Sequence, residues 1–259
     1  MLTEPGPAAK VALTRRFAAA WGSGDINTIG NFALPDRPDR PKAPQLRPPR
    51  EMPKRNPRSQ AGRIAFLHAI THIELNAIDL AWDIAGRFTY EDLPQAFYDD
   101  WVSVARDEAE HFDLLSRRLS ELGSAYGDHP AHDGLWEAAE NTADDLLARL
   151  ALVPMVLEAR GLDTTPLGVQ RLRDAGDEDN ADILQTIGVQ EIPHVRAGVR
   201  WFEFVCAGRG INPAPEFHRL VAERFRGRLK APFNEAARAE AGFSPGYYQP
   251  LANPGPIKS

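Results

Sequence analysis

The chain has 259 residues, of which 43% are hydrophobic and 25% charged, values typical of a water-soluble globular protein with one large domain or two small ones. A single cysteine, Cys206, excludes an intramolecular disulfide and any metal centre built from a cysteine pair. The net charge of −6 disfavours nonspecific nucleic-acid binding by the chain as a whole.

The amino-terminal residues, "MLTEPGPAAK", lack the basic start and apolar run of a secretory signal. No uninterrupted apolar stretch is long enough to span a bilayer. We therefore expect a cytoplasmic protein that makes no membrane contact.

Helical spacing of apolar residues recurs along most of the chain, and no convincing strand pattern interrupts it. Capping residues, glycines and prolines set the expected helix ends. The predicted helices cover about residues 7–22, 60–86, 91–123, 135–160, 166–175, 178–207 and 214–226, followed by an irregular tail. Long helices without strands predict an all-α bundle.

Residues 35–63 form a proline-rich basic segment that cannot be helix or central strand. Its net charge of +6 leaves the rest of the chain near −12. The segment is expected to be an extended arm that lies on the acidic body of its own or a neighbouring subunit. The alternative is a contact surface for a polyanion such as RNA.

A repeated arrangement of glutamate and histidine is the strongest functional signal. Two predicted long helices each carry Glu-x-x-His, a pair that shares one helix face, and two others each carry one glutamate in an apolar setting. The six residues are Glu74, Glu108, His111, Glu158, Glu191 and His194. Glu74 and Glu108 are 34 residues apart, and Glu158 and Glu191 are 33 residues apart. The set of Glu74, Glu108 and His111 therefore recurs further along the chain at an offset of 84 or 83 residues.

This repeat predicts two helical hairpins that bring four carboxylates and two imidazoles together at mid-bundle. Their combined charge of about −4 would balance two divalent cations, and oxygen with imidazole ligation suits iron or manganese. Without metal, carboxylates buried together would repel one another and take up protons. The competing interpretation, surface glutamates with structural core histidines, does not account for the matched offsets.

Two prolines lie close to the predicted ligands. Pro154 precedes Glu158 by one turn, and Pro193 lies between Glu191 and His194. Each proline removes a helix hydrogen bond and should bend its helix. The bend could serve bundle packing, or it could adjust the ligands and open a path to the metals.

Other polar residues have weaker claims to chemistry. His68 and His72 share a helix face that does not include Glu74, so they are expected to be structural or to support the ligands. Asp107 and Glu110 are expected to lie on a solvated face or to support a ligand. His129 and His132 are expected to serve loop packing and capping, and Cys206 is expected to be a core thiol.

The ligand set and several longer words resemble the ferritin-like di-iron superfamily, in particular a branch of ferritin-like proteins of unknown function. The words are "HIELNAIDLAWD", "DEAEHFDLL", "YGDHPAHDGLW", "PMVLEARGLD" and "EIPHV". The resemblance implies a four-helix bundle with the six residues as metal ligands. The ligand arrangement is also similar to that of a bacterial di-iron hydroxylase that acts on a modified tRNA adenosine.

The resemblance implies three segments: an amino-terminal helix with the basic arm (1–58), a di-metal four-helix bundle (59–210), and a carboxy-terminal helix and tail packed on the bundle (211–259). The expected activity is that of an O2-activating di-iron hydroxylase or oxidase, with two iron ions, O2 as co-substrate and an external electron donor. Its substrate would be a small molecule or a modified nucleoside, with tRNA reached through the arm.

Other functions remain open. These are a ferroxidase or iron-handling protein, a manganese catalase-like protein and a structural metal-binding protein. Long exposed helices and the arm also make a homodimer plausible.

Overall fold

Helices account for the secondary structure of this computed structural model, which describes residues 1–53 and 55–252. Within these ranges no strand forms, and one isolated bridge joins Leu46 to Ala131. The helices are α1 (Pro7–Gly22), α2 (Gln60–Arg87), α3 (Gln95–Glu121), α4 (Gly134–Glu140), α5 (Leu146–Leu152), α6 (Ala159–Asp174), α7 (Glu178–Gly208), α8 (Pro213–Arg224), α9 (Glu235–Glu240) and α10 (Pro245–Ala252). The predicted all-α class is confirmed. Lys54 of the predicted arm and residues 253–259 of the predicted tail lie outside the described residues.

The chain divides into two compact units. The first comprises Met1–Glu140 and Arg171–Glu178, and the second comprises Asn141–Gln170 and the chain from Asp179 onward. The predicted segments 1–58, 59–210 and 211–259 follow the chain instead, and they remain a prediction.

The first unit is built on α2 and α3, two long helices joined by a short connection, with α1 packed against α3. Its apolar core includes Val11, Leu75, Ile78, Ala109 and Phe112, all buried. Burial of such side chains stabilises the fold by about 1.5–3 kcal/mol each, before the entropic cost of ordering the chain.

The ends of α2 and α3 follow from local chemistry. The side chain of Ser59 caps α2 by accepting a hydrogen bond from the amide of Gly62. The predicted start of the next helix near residue 91 is wrong, because α3 begins at Gln95. Pro94 holds extended backbone at φ −68° and ψ 157°, so it precedes the helix rather than occupying its first turn.

The helix α2 is long and apolar enough to cross a membrane by length and composition. However, 72% of its apolar window is buried inside the protein, as in the core helix of a soluble protein. The predicted cytoplasmic location remains a prediction.

The arm lies on acidic residues of its own unit, as one interpretation of its charge expected. Arg37 donates to Glu140 at 2.7 Å and also pairs with Asp133. The amide of Arg47 donates to the carbonyl of Ala131 at 2.8 Å. The described part of the arm up to Ser59 is not helical apart from one 3-10 turn at Pro49–Glu51. The prediction of a non-helical segment over 35–63 is wrong for its last four residues, because α2 begins at Gln60.

The predicted single helix over residues 135–160 is wrong. Helix α4 ends at Glu140 and α5 begins at Leu146, because Asp145 caps α5 by accepting from the amide of Leu147 at 2.9 Å. Gly161 does not end a helix. It lies inside α6, which also absorbs the predicted short helix 166–175.

The tail after α8 is also more ordered than predicted. Helix α8 ends at Arg224 rather than 226, and α9 and α10 follow where irregular chain was expected. The side chain of Asn234 caps α9 by accepting from the amide of Ala237. Because α9 and α10 have only 6 and 8 residues, their helical periodicity in the sequence was too short to recognise.

Candidate metal centre

Three predicted ligands come together in the first unit. Glu74 lies on α2, while Glu108 and His111 lie one turn apart on α3. His111 Nδ1 lies 3.4 Å from Glu74 Oε2 and 3.4 Å from Glu108 Oε2. Glu74 is 4% exposed, Glu108 is 1% exposed and His111 is 2% exposed. The buried faces of α2 and α3 therefore bring two carboxylates and an imidazole to one place.

Buried apolar side chains flank this first half-site, which consists of Glu74, Glu108 and His111. On α3, Trp101 and Leu115 are fully buried above and below the ligand pair. The predicted inward register of α2 and α3 is thus confirmed. The apolar flanks keep bulk water away from the carboxylates.

The electrostatics of the first half-site favour a cation. Burial raises the pKa of Glu74 well above its ordinary value, and the nearby charge of Glu108 raises this pKa further, while His111 opposes both effects. The ligand atoms of the three residues lie within 4.8 Å of one another. Two carboxylates and one imidazole at this spacing could hold a metal ion.

The second unit contains the other Glu-x-x-His pair. His194 Nδ1 lies 3.4 Å from Glu191 Oε2 on α7, the same separation as in the pair on α3. His194 is buried, while Glu191 is 12% exposed at its side chain. The remaining predicted ligand of this unit, Glu158, is half-buried. Glu158, Glu191 and His194 are called the second half-site below, as the sequence predicts.

Glu158 ends a π-helical segment, Val153–Glu158, that lies between α5 and α6. The predicted irregularity at Pro154 is confirmed, because this proline occupies the segment and cannot donate a helix hydrogen bond. Short π segments inside α-helices often occur at functional sites. Pro193, by contrast, lies inside α7 without interrupting it.

Glycines let α7 approach the helices beside it within the second unit. A Cβ atom at Gly198 would lie 2.5 Å from Pro154 Cβ, and one at Gly188 would lie 2.5 Å from Thr165 Cγ2. These two contacts lie on either side of Glu191 and His194 along α7. The absence of side chains there sets how closely Glu158 and the α7 ligands can approach.

His68 and His72 hold a loop rather than a metal. His68 Nε2 accepts a hydrogen bond from the amide of Gly127 at 2.9 Å, and His72 Nδ1 bonds to the hydroxyl of Tyr126 at 2.9 Å. Burial lowers the pKa of His72 to about 3 and that of His68 to about 4, so both rings are neutral at pH 7. The predicted structural role is therefore confirmed.

The remaining weak candidates also have structural surroundings. Glu110 accepts from Arg15 on the exposed side of α3, as expected of a solvated face, and Asp107 pairs with Arg106. His132 Nδ1 accepts from the amide of Gly134, and Cys206 is buried in the core. Burial raises the pKa of this thiol to about 11.

A buried ion pair near the first half-site escaped the sequence analysis. Lys10 of α1 donates to Asp79 of α2 at 2.5 and 2.7 Å, and both side chains are almost completely buried. Burial outweighs the lysine and raises the pKa of Asp79 to about 6. The only signal was a lysine on the apolar face of a predicted helix.

The chain matches a family model and a relative from another organism. A family model described as "Protein of unknown function (DUF455)" matches residues 3–249. A protein of Haemophilus influenzae, described as "Uncharacterized protein", is 43% identical over 209 residues, covering 79% of this chain and 73% of the relative. No solved structure matches. With nearly its whole length matched and a close relative at this identity, the chain belongs to the DUF455 family, whose function is unknown.

Proposed function

We propose that this protein is a non-haem di-iron protein of the ferritin-like type that activates O2 to hydroxylate or oxidise its substrate. The observation that carries the proposal is the buried group of Glu74, Glu108 and His111. The same Glu-x-x-His geometry in the second unit supports it. Burial of several carboxylates without a bound cation would be costly.

In this proposal the two half-sites share two iron ions. Glu74, Glu108, Glu158 and Glu191 would bind or bridge them, and His111 and His194 would each complete one. The bound iron pair would supply the reduction of O2 that the side chains alone cannot perform.

The protein's own residues would hold and shield the centre. The apolar flanks of α3 exclude water, and the raised pKa of Glu74 reflects a carboxylate that is readily protonated until a cation binds. The half-buried Glu158 and Glu191 would form the more accessible side. Since Cys206 is the only cysteine, electrons would come from an external donor.

The proposed substrate is a small molecule or a modified nucleoside, with tRNA as the polyanionic case. Parts of the arm remain exposed for such a contact, including Lys42, Arg47, Arg50 and Arg58. Replacing Arg47 and Arg50 by alanine should weaken tRNA binding and reduce its salt dependence. Unchanged binding and salt dependence would exclude this surface as the tRNA contact.

The test is anaerobic loading of tag-free protein with Fe(II), followed by an O2 pulse with a chemical reductant and candidate substrates. The proposal expects O2 uptake that depends on iron, with oxygen or unsaturation introduced into a substrate. Repeated oxidation of excess Fe(II) without reductant would indicate iron handling. Selective retention of manganese with peroxide disproportionation would indicate catalase-like chemistry, and metal that stabilises the fold without reacting would indicate a structural site.

A further inference from the structure

We infer that the first unit contains a second, metal-independent binding site, a cavity for an uncharged and mostly apolar molecule that carries a hydrogen-bond acceptor. The cavity has a volume of about 440 Å³. Small-molecule pockets in proteins commonly have volumes of about 300–1,000 Å³. A fused two-ring compound fits this size.

Helices form one side of the cavity and a non-helical segment forms the other. The helical wall includes Trp21 of α1, Ala85 of α2, and Tyr98 and Val102 of α3. The opposite wall comes from residues 26–35. The ligand would therefore lie between the segment 26–35, which precedes the arm, and helices α1, α2 and α3 of the first unit.

The lining selects against charge. None of the side chains that line the cavity is acidic or basic, and aromatic rings from Phe17, Trp21, Trp82 and Tyr98 contribute to its surface. Burying an ion in such surroundings costs several kcal/mol without a partner. Flat apolar rings, in contrast, gain both area burial and ring contacts here.

Tyr98 supplies the polar contact. The residue is 6% exposed, and its hydroxyl makes no hydrogen bond to any residue in the described ranges. The other ring donors are already used, since Trp21 Nε1 donates to Asp99 at 2.8 Å and Trp82 Nε1 donates to Thr14 at 3.2 Å. The Tyr98 hydroxyl can therefore donate to a carbonyl or ether oxygen of a ligand.

Apolar side chains at the cavity's outer wall are exposed. Phe32 is 68% exposed and Ile29 is 41% exposed, and both line the cavity. A bound apolar molecule would cover part of this surface, which gives affinity of hydrophobic origin.

The cavity is separate from the first half-site. On α2, Trp82 lies eight residues beyond Glu74. On α3, Val102 lies six residues before Glu108. At 1.5 Å per residue these separations correspond to about 12 Å along α2 and about 9 Å along α3. Binding should therefore occur in metal-free protein, whether or not the proposed iron chemistry is correct.

The experiment measures binding of prodan, a neutral naphthalene ketone whose fluorescence shifts in apolar surroundings, to the metal-free full chain. We expect saturable binding at one site. Ala85→Phe places a ring in the cavity from the helical wall and should weaken binding at least tenfold. Ala12→Phe adds the same ring at an exposed position of α1 that does not line the cavity, and it should leave affinity unchanged.

Tyr98→Phe tests the hydrogen bond. It should weaken prodan binding about threefold to tenfold, and leave the binding of 2-ethylnaphthalene, which has no acceptor, unchanged. Circular dichroism checks the fold of each variant. If Ala85→Phe unfolds, Ala33→Trp fills the cavity from the opposite wall and should give the same loss. Absence of saturable prodan binding, or equal affinity in a folded cavity-filling variant, would overturn the inference.

Discussion

The two half-sites have nearly the same spacing of ligands in the sequence but different backbones. In the first unit, Glu74, Glu108 and His111 lie on the uninterrupted helices α2 and α3, and all three are nearly inaccessible to solvent. In the second unit, Glu158 ends a π segment and Glu191 is partly exposed. The repeat thus preserves ligand positions in the sequence without preserving regular helix around them.

This difference suggests a division of roles. Ligands on regular, fully packed helices are held in fixed positions, because core side chains occupy single rotamers in a closely packed interior. A π segment and a proline leave the backbone with fewer regular hydrogen bonds. We expect the first half-site to fix one side of the metal centre and the second to accommodate changes in ligation.

The largest effect should come from removing a ligand from either half-site. Each of the variants His111→Ala, Glu158→Ala and His194→Ala should lose at least one of two metal ions, because each removes a proposed ligand. Metal content of tag-free protein measures this, with His129→Ala as a control in a loop outside the half-sites. Full two-metal occupancy in the ligand variants would exclude the assigned residues.

A large effect on stability is expected from a buried ion pair of the second unit. Arg238 donates to Asp163 at 2.8 and 2.7 Å, and its guanidinium lies 4.4 Å from the ring centroid of Tyr248. Asp163→Asn leaves a buried charge without its partner, so unfolding free energy should fall by about 3–5 kcal/mol. Urea denaturation measures the loss.

The matched comparison for this pair lies in the first unit. Arg15 pairs with Glu110 on the surface, where about 40% of the arginine side chain is exposed. Arg15→Ala should cost about 1 kcal/mol or less, because water already solvates both charges. Equal losses in the two variants would contradict the view that burial of Arg238 anchors the tail helices.

An intermediate effect is expected where α7 approaches the π segment. Gly198→Ala places a Cβ atom 2.5 Å from Pro154 Cβ, so the backbone must move, at a cost of about 1–3 kcal/mol. The movement should also weaken metal binding at the second half-site. Paired measurements of thermal stability and metal affinity check both effects.

Gly161→Ala is the control for that substitution. Gly161 also lies in a helix of the second unit, but nothing lies within 4 Å of an added Cβ there. Alanine should stabilise this helix by up to about 1 kcal/mol. A similar loss in both glycine variants would show that close approach at Pro154 is not the cause.

The smallest expected effect is a dependence of stability on pH that comes from His68 in the first unit. The pKa of His68 is lowered to about 4 by burial, so unfolded chain binds a proton that folded chain does not between pH 6.5 and 4. Stability should therefore fall as pH decreases through this range, by about 1 kcal/mol between pH 7 and 5.5 from this residue. His68→Gln should show a shallower decrease in urea midpoints, and an unchanged slope would contradict the assignment.

The sequence predicted the regular parts of the molecule better than the irregular ones. Helices α1, α2 and α7 were predicted within one residue at each end, because each has a clear start and stop and long apolar periodicity. The break between α4 and α5 was missed although residues 141–145, "NTADD", are mostly polar. Asp145, whose side chain caps α5, is of a residue type that favours a helix start.

The site shows the same limit. Glu108 and His111 were predicted to share a face because their spacing fixes it, and their burial confirms the register. The partners of His72 and the pairing of Lys10 with Asp79 were not predictable, because they join residues far apart in sequence. The π segment was foreseen only as an irregularity at Pro154, since proline indicates a lost hydrogen bond but not how the backbone rearranges.

The most direct test of the proposed di-iron centre is Mössbauer and magnetic measurement of tag-free protein loaded anaerobically with iron. The account predicts two Fe(II) ions per chain that are exchange-coupled, because both half-sites would bridge the same pair. Loss of coupling should accompany loss of iron in His111→Ala and His194→Ala. Two uncoupled irons, or no retained iron, would contradict a shared centre.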